Sequence, residues 1–219
     1  ILMRRTSRIV IAALVLAACT DIISPPRVEY YEYRKFAQNS EGQVKPLAFH
    51  WPRSSLPVKV WIPEGDALRP ALVRAMSIWE NTFLYGEVRM ELVSDESQAD
   101  IVVRNEVAGP KPETAVRLGR RADECRGETT FIADVNTGTI TLPFEIYVWS
   151  RVGPNGPGLE TCYELTMLHE LGHALGIFEH SPLTDDLMYA DPQRNGLTAR
   201  DRATAEAVYH LPATLRPVR

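Results

Sequence analysis

The sequence predicts an α+β fold, a mixed β-sheet that is covered on one face by helices. Three observations lead to this prediction: an alternating strand pattern, a long one-sided helical stripe, and several short β-rich runs followed by a second helix. A one-sided apolar helix needs an apolar partner surface, and the β-rich runs supply one. The chain has 219 residues, 45% of them hydrophobic and 24% charged, which is enough for one sizeable core.

The first predicted strand covers residues 58–62, where apolar side chains alternate with Lys59 and Trp61 between two prolines. From about residue 66 the apolar residues recur with the spacing of a helix. Proline is tolerated only in the first turn of a helix, so Pro70 indicates that the helix begins close to it. The apolar stripe of the helix consists of Leu68, Leu72, Met76, Trp79 and Phe83. We therefore expect a strand followed by a helix that packs on the sheet.

Later β-rich runs at 88–93, 99–104, 128–134 and 139–150 predict the other strands, with a turn at 136–138. The Arg-rich stretch 117–126 is predicted to be a solvated loop. A second strong helix follows the turn-rich loop 151–158. Thr161 and Glu164 have the spacing of a capping box, which predicts Thr161 as the N-cap, and Gly176 suits the left-handed position after the helix.

The N-terminal segment has the pattern of an export signal. A short basic stretch precedes residues 9–18, an apolar run that is too short to span a bilayer. The run ends in Leu16-Ala17-Ala18-Cys19, which resembles a bacterial lipobox, where cleavage precedes a cysteine that then carries lipid. The alternative is a plain secretory signal with a chance cysteine.

These features divide the chain into three expected parts. Residues 1–18 are predicted to be a lipoprotein signal peptide, residues 19–54 a lipidated Cys19 with a flexible, proline-interrupted tether, and residues 55–219 the folded domain. Several acyl chains on one residue would anchor the protein stably. The expected location is the bacterial cell envelope, at the outer membrane if the host has one.

The net charge and the cysteines of the chain indicate its class of partner and a disulfide. Without residues 1–18 the chain keeps 21 of its 24 basic residues against 28 acidic ones, a net charge of −7. This balance leaves no broad basic surface and argues against nucleic acid as a partner. In an oxidising compartment Cys125 and Cys162 are expected to pair, which would stabilise the fold by roughly 3–4 kcal/mol through loop entropy. The alternative is two free buried thiols.

The chemistry-bearing motif is His169-Glu170-Leu171-Gly172-His173 on the second helix. Four residues turn a helix by about 400° and advance it by about 6 Å, so the two imidazoles share one face and can bind one metal. Neutral imidazoles suit Zn²⁺, and Glu170 is placed to act on a water molecule rather than as a ligand. Because the chain has five His, the number of chance matches is on the order of 0.01.

With these residues the chain resembles the metzincin zinc peptidases, and among them the matrixins, whose signature is His-Glu-x-x-His-x-x-Gly-x-x-His followed by a Met-turn. Here HELGHALGIFEHS precedes Leu187-Met188-Tyr189, and the resemblance covers about residues 55–212. It implies a metzincin-like zinc peptidase domain with a twisted mixed sheet, a long packing helix, an active-site helix that ends at a Gly turn, a Met-turn and a C-terminal helix. It also implies that Met188 lies beneath the metal and that Tyr189 and Ala190 line a substrate pocket.

One departure from the family concerns the third metal ligand. The family spacing places this ligand at position 179, where the chain has Glu179, and His180 follows. Either the segment after Gly176 is one residue longer, or Glu179 replaces the histidine. We favour His180, because Glu179-His180-Ser181 matches the family's His-Ser ending and an inserted loop residue costs little.

The expected function is that of an exported, lipid-anchored zinc endopeptidase. One catalytic zinc is expected on His169, His173 and His180, with Glu170 as general base. The expected partners are a protein or peptide substrate, extended along an edge strand, and the membrane through the lipid, with the protein itself a monomer. A calcium ion is compatible with the sequence but has no support in it. The alternatives are a catalytically weak envelope lipoprotein whose zinc serves structure or binding, and an amidase for cell-wall peptides.

Overall fold

Seven strands of the described residues form one twisted mixed sheet, and two more form a separate hairpin. The computed structural model describes residues 28–112, 114–119, 125–153 and 156–219. The strands are β1 (Lys35–Gln38), β2 (Val44–Leu47), β3 (Val58–Trp61), β4 (Met90–Leu92), β5 (Ile101–Arg104), β6 (Ala115–Leu118), β7 (Cys125–Asp134), β8 (Thr139–Ser150) and β9 (Arg216–Val218). The helices are α1 (Arg69–Glu80), α2 (Leu159–Ala174) and α3 (Ala199–His210). The α+β class with a mixed sheet is confirmed.

The sheet has the order β4-β3-β5-β8-β7-β6, with β9 on the end of β8. The neighbouring pairs β4–β3, β3–β5 and β5–β8 are parallel. Strand β7 is antiparallel to both of its neighbours, β8 and β6. The β1–β2 hairpin is antiparallel and lies outside this sheet. Strand β6 is therefore one edge of the sheet, and β7 is the strand next to it.

Helix α1 buries the predicted stripe and packs against α2. Leu72, Met76 and Trp79 are buried, and Pro70 lies in the first turn, where its missing N–H costs nothing. The indole Nε1 of Trp79 donates to the carbonyl oxygen of Leu168 at 2.9 Å. This bond fixes α1 to the helix that carries the metal motif.

Helix α2 begins earlier than the sequence predicted. Its N-cap is Gly158, in the left-handed conformation with φ 87°, and not Thr161. Glycine adopts positive φ without steric cost, so the chain turns into the helix here and Thr161 already lies inside it. The predicted end is confirmed, since Gly176 follows α2 with φ 112°.

The expected tether is the largest correction to the sequence analysis. Within the predicted span 19–54, the part from residue 28 onward belongs to the folded body. Its buried side chains are Tyr31, Tyr33, Leu47, Ala48, Phe49 and Trp51. Aromatic side chains bury large apolar areas, and this burial stabilises the packed segment although its prolines give it the composition of a loop. Residues 1–18 and Cys19 lie outside the described residues.

The stretch 117–126 is also corrected. Part of it forms β6, which pairs with β7, and β7 begins at Cys125. Arg117 faces solvent and pairs with Glu128, whereas Leu118 is buried. The charged neighbours therefore concealed a short alternating strand.

Cys125 and Cys162 lie at disulfide-bonding distance, as predicted. Their Cα atoms are 5.7 Å apart, within the range that a disulfide needs. The pair links the first residue of β7 to the first turns of α2. None of the helices in the described part of the chain has both the length and the apolar character needed to cross a bilayer.

Candidate metal centre

Three histidines converge where α2 ends. His169 and His173 are fully buried on one face of α2, and half-buried His180 follows in the loop after Gly176. The Nε2 atom of His173 lies 3.1 Å from Nε2 of His169 and 3.3 Å from Nε2 of His180. The ligand atoms of all three residues lie within 4.8 Å of one another, so the triad can hold a metal ion.

The other ring nitrogens show why these Nε2 atoms face each other. Nδ1 of His169 donates to the carbonyl oxygen of Leu187 at 2.8 Å, and Nδ1 of His173 donates to that of Ile177 at 2.5 Å. A neutral ring with its proton on Nδ1 leaves a lone pair on Nε2. The short Nε2 separation between His169 and His173 is therefore not a hydrogen bond. Both Nε2 separations, 3.1 and 3.3 Å, match the spacing of about 3.3 Å that ligands 2.0–2.1 Å from a tetrahedral metal would have.

The protonation state of His173 also suits metal binding. Burial lowers the pKa of its imidazole well below the usual value of 6.5, and the neighbouring His169 and His180 lower it further. Only the unprotonated ring has a lone pair to share with a metal. His173 is therefore neutral at physiological pH without a metal to displace its proton.

The structure brings His180, and not Glu179, into the triad. The Glu179 carboxylate instead forms an ion pair with the Lys35 ammonium, at 3.3 Å. The residue before Glu179 is Phe178, whose ring stacks on Phe131 with centroids 4.7 Å apart.

Glu170 is buried beneath β7. The Thr129 hydroxyl donates toward its Oε2 at 2.8 Å, and the same hydroxyl lies 3.0 Å from the Glu170 carbonyl oxygen. A Cβ atom on Gly127 would lie 2.2 Å from Oε1 of Glu170, so only glycine fits above the carboxylate. Sequence analysis missed both β7 residues, because nothing in the local pattern connects a strand Thr or Gly with a helix some 40 positions later.

Met188 packs against α2 at Gly172. A Cβ atom on Gly172 would lie 2.6 Å from the Met188 sulfur and 2.8 Å from the Trp79 ring, so this glycine lets the methionine approach. The buried Asp201 carboxylate accepts hydrogen bonds from the backbone N–H groups of Leu187 and Met188. Asp201 is a third residue that the sequence did not single out, and it holds the backbone of residues 187–188 from α3.

A cleft of about 520 Å³ opens beside His180. Its walls carry two ion pairs, Arg117 with Glu128 and Lys35 with Glu179. Trp149 adds an aromatic wall. Tyr189 and Ala190 are half-buried, and within the described part of the chain they do not line this cleft.

The N-terminal segment (residues 28–51) supports the loop that carries His180. The Trp51 indole donates to the carbonyl oxygen of Ala174 at 3.1 Å, and the Phe178 N–H donates to that of Tyr33 at 2.7 Å. A Cβ atom on Gly176 would lie 2.1 Å from the Phe49 carbonyl oxygen. The residues expected to form a tether therefore shape the metal centre.

Trp51→Ala should lower the free energy of unfolding by about 3–5 kcal/mol, because it empties a fully buried aromatic site and leaves the Ala174 carbonyl without its donor. Urea unfolding measures this loss. Tyr30→Ala, at a half-exposed position of the same segment, is the control and should change stability by less than about 0.5 kcal/mol. Equal midpoints for the two variants would show that the segment is a passive tether.

No family model matches this chain, and none of the curated proteins compared with it matches either. The candidate site is defined by the residues that the fold brings together, which are the three histidines, Glu170, Thr129 and those lining the cleft beside His180.

Proposed function

We propose that the chain is a zinc-dependent endopeptidase of the metzincin type, similar to the matrixins, exported and lipid-anchored through Cys19. The observation that carries this proposal is the convergence of three imidazole Nε2 atoms, together with the carboxylate of Glu170, the residue after His169, which Thr129 of β7 holds. Three nitrogen ligands are the set that many catalytic zinc sites use, whereas structural sites usually have four protein ligands. A carboxylate with its own supporting hydroxyl favours catalysis over a purely structural metal.

The donor set fits zinc better than the hard cations. Imidazole nitrogen suits zinc, whereas calcium and magnesium prefer oxygen ligands. The two Nδ1–carbonyl bonds hold His169 and His173 in the tautomer that a metal needs. A bound zinc ion would supply Lewis acidity that activates water and polarises a peptide carbonyl.

Glu170 is the proton carrier in this proposal. Its carboxylate accepts a proton from the attacking water and then gives it to the leaving amine. Thr129 keeps the carboxylate from rotating away, and Gly127 leaves room for it under β7. The burial of Glu170 also excludes bulk water that would compete for this proton.

The order of elements supports the resemblance to matrixins. A long packing helix, a zinc-motif helix that ends at Gly176, a methionine against that helix and a C-terminal helix follow one another as the family pattern requires. The Thr198–Asp201 capping box begins the C-terminal helix, and the same Asp201 holds the Met-turn. The substrate class proposed is a protein or peptide with an extended segment.

Glu170→Gln should reduce cleavage of an unfolded protein such as casein by about 10²–10⁴-fold, because the amide cannot carry the proton. The zinc content should stay at one per chain in the parent protein and in the variant. Glu179→Gln is the matched control, since this carboxylate lies beside His180 but pairs with Lys35. Cleavage by Glu170→Gln at the parent rate would refute the proposed mechanism.

A further inference from the structure

Strand β7 is the part of the sheet that touches Glu170. Gly127 lies against the carboxylate, and the Thr129 hydroxyl contacts it at 2.8 Å. The cleft beside His180 is lined by Gly127 and Glu128 of this strand. An extended peptide in this cleft therefore passes close to residues 127–128. Free backbone N–H and C=O groups at a strand edge bind such a peptide by adding it as a further strand.

The outer edge of β7 is already occupied at this point by the chain itself. Strand β6 pairs with it antiparallel, from Ala115 opposite Ile132 to Leu118 opposite Thr129. The backbone then continues along the same edge, since a Cβ atom on Gly119 would lie 2.3 Å from the Gly127 carbonyl oxygen. The backbone edge that leads to Glu170 thus carries an internal strand.

The contacts that hold β6 are few. The strand has four residues, of which Leu118 is buried and Val116 is partly buried against the core. Arg117 forms two bonds with Glu128, at 2.8 and 2.6 Å, but its side chain is half-exposed, so this ion pair contributes little. A short edge strand with little burial opens locally far more often than the whole fold unfolds.

We propose that β6 is a resident occupant of the peptide-binding edge, and that an extended peptide substrate displaces β6 from β7 and takes over its backbone hydrogen bonds. This inference rests on the proposed peptidase function. It goes beyond that function by naming the step that precedes binding. Substrates with long extended segments compete with β6 best, because they can replace the whole β6 ladder.

A cross-link between β6 and β7 tests this step. Ala115 and Ile132 face each other in the register, and both side chains are at least partly exposed. Facing Cα atoms of an antiparallel pair lie about 4.5–5.5 Å apart, a separation that a disulfide can bridge. The double variant Ala115→Cys/Ile132→Cys should therefore pin β6 when oxidised, and each single variant is a control.

The readout is binding of two hydroxamates to the zinc-loaded protein by calorimetry. Acetohydroxamate probes the metal alone, and an extended tripeptide hydroxamate probes the metal together with the strand edge. In the oxidised double variant we expect at least a tenfold loss of tripeptide affinity with acetohydroxamate affinity unchanged. Mild reduction should restore the tripeptide affinity to that of the parent protein treated with the same reductant.

Tripeptide binding to the cross-linked protein as tight as to the parent would overturn the displacement of β6. Failure of the proposed function has a different signature: the parent binds zinc and both hydroxamates but does not cleave casein. A parent that takes up no zinc at one equivalent would overturn both. Unchanged acetohydroxamate binding also shows that the cross-linked protein is folded.

Discussion

His180→Ala should abolish tight zinc binding, whereas Glu179→Ala should leave one zinc per chain. The Nε2 atom of His180 lies 3.3 Å from that of His173, within the triad, while the Glu179 carboxylate faces Lys35. Loss of a group that merely supports a ligand already weakens metal binding by about 10–100-fold. Loss of a direct ligand should exceed this range, because two imidazoles cannot complete the site.

Zinc content after dialysis against a weak chelator measures both variants. Circular dichroism shows whether each one keeps its fold. The assignment of His180 fails if its alanine variant keeps a full equivalent of zinc, and a zinc-free Glu179→Ala protein would move the ligand to position 179.

Thr129→Val should lower kcat about 10- to 100-fold while KM changes little. The valine has nearly the same shape but lacks the hydroxyl that lies 2.8 Å from Oε2 of Glu170. A hydrogen bond to a charged group contributes about 1.5–3 kcal/mol, and each 1.4 kcal/mol corresponds to a factor of ten in rate. Thr129→Ser keeps the hydroxyl and should recover most of the loss.

Thr130→Val is the control for this prediction. Thr130 is the next residue of β7 and is equally buried, but its hydroxyl points to Glu145 on the other face. It should keep the parent kcat, and all three variants should hold one zinc. If the serine variant is as slow as the valine variant, Thr129 acts through packing and not through its hydroxyl.

The histidine triad was predictable because its arrangement is mostly local. His169 and His173 share a face through helix geometry alone, and Gly176 turns the chain so that a residue soon after it can reach back. The sequence favoured His180 over Glu179 by its match to the family ending, since spacing along a loop does not fix the direction of a side chain. In the structure His180 lies in the triad and Glu179 pairs with Lys35.

The residues that support the triad and Glu170 were not predictable, because they depend on contacts between distant segments of the chain. Trp51 and Ala174 are 123 positions apart, and Thr129 and Glu170 are 41 apart. Proline and polar residues made the N-terminal segment look like a tether, although its aromatic side chains bury against the core. Strand β6 was missed because it has only four residues and overlaps the Arg-rich stretch 117–126, whose charges are typical of a loop.

Stepwise return of zinc to the metal-free protein tests the central claim most directly. After removal of metal by a chelator, casein cleavage by the parent should rise in proportion to added zinc and level off at one equivalent. Glu170→Gln should take up the same equivalent without gaining activity. A metal-free parent that cleaves casein as fast as the zinc-loaded protein would contradict a zinc-dependent mechanism at the three histidines.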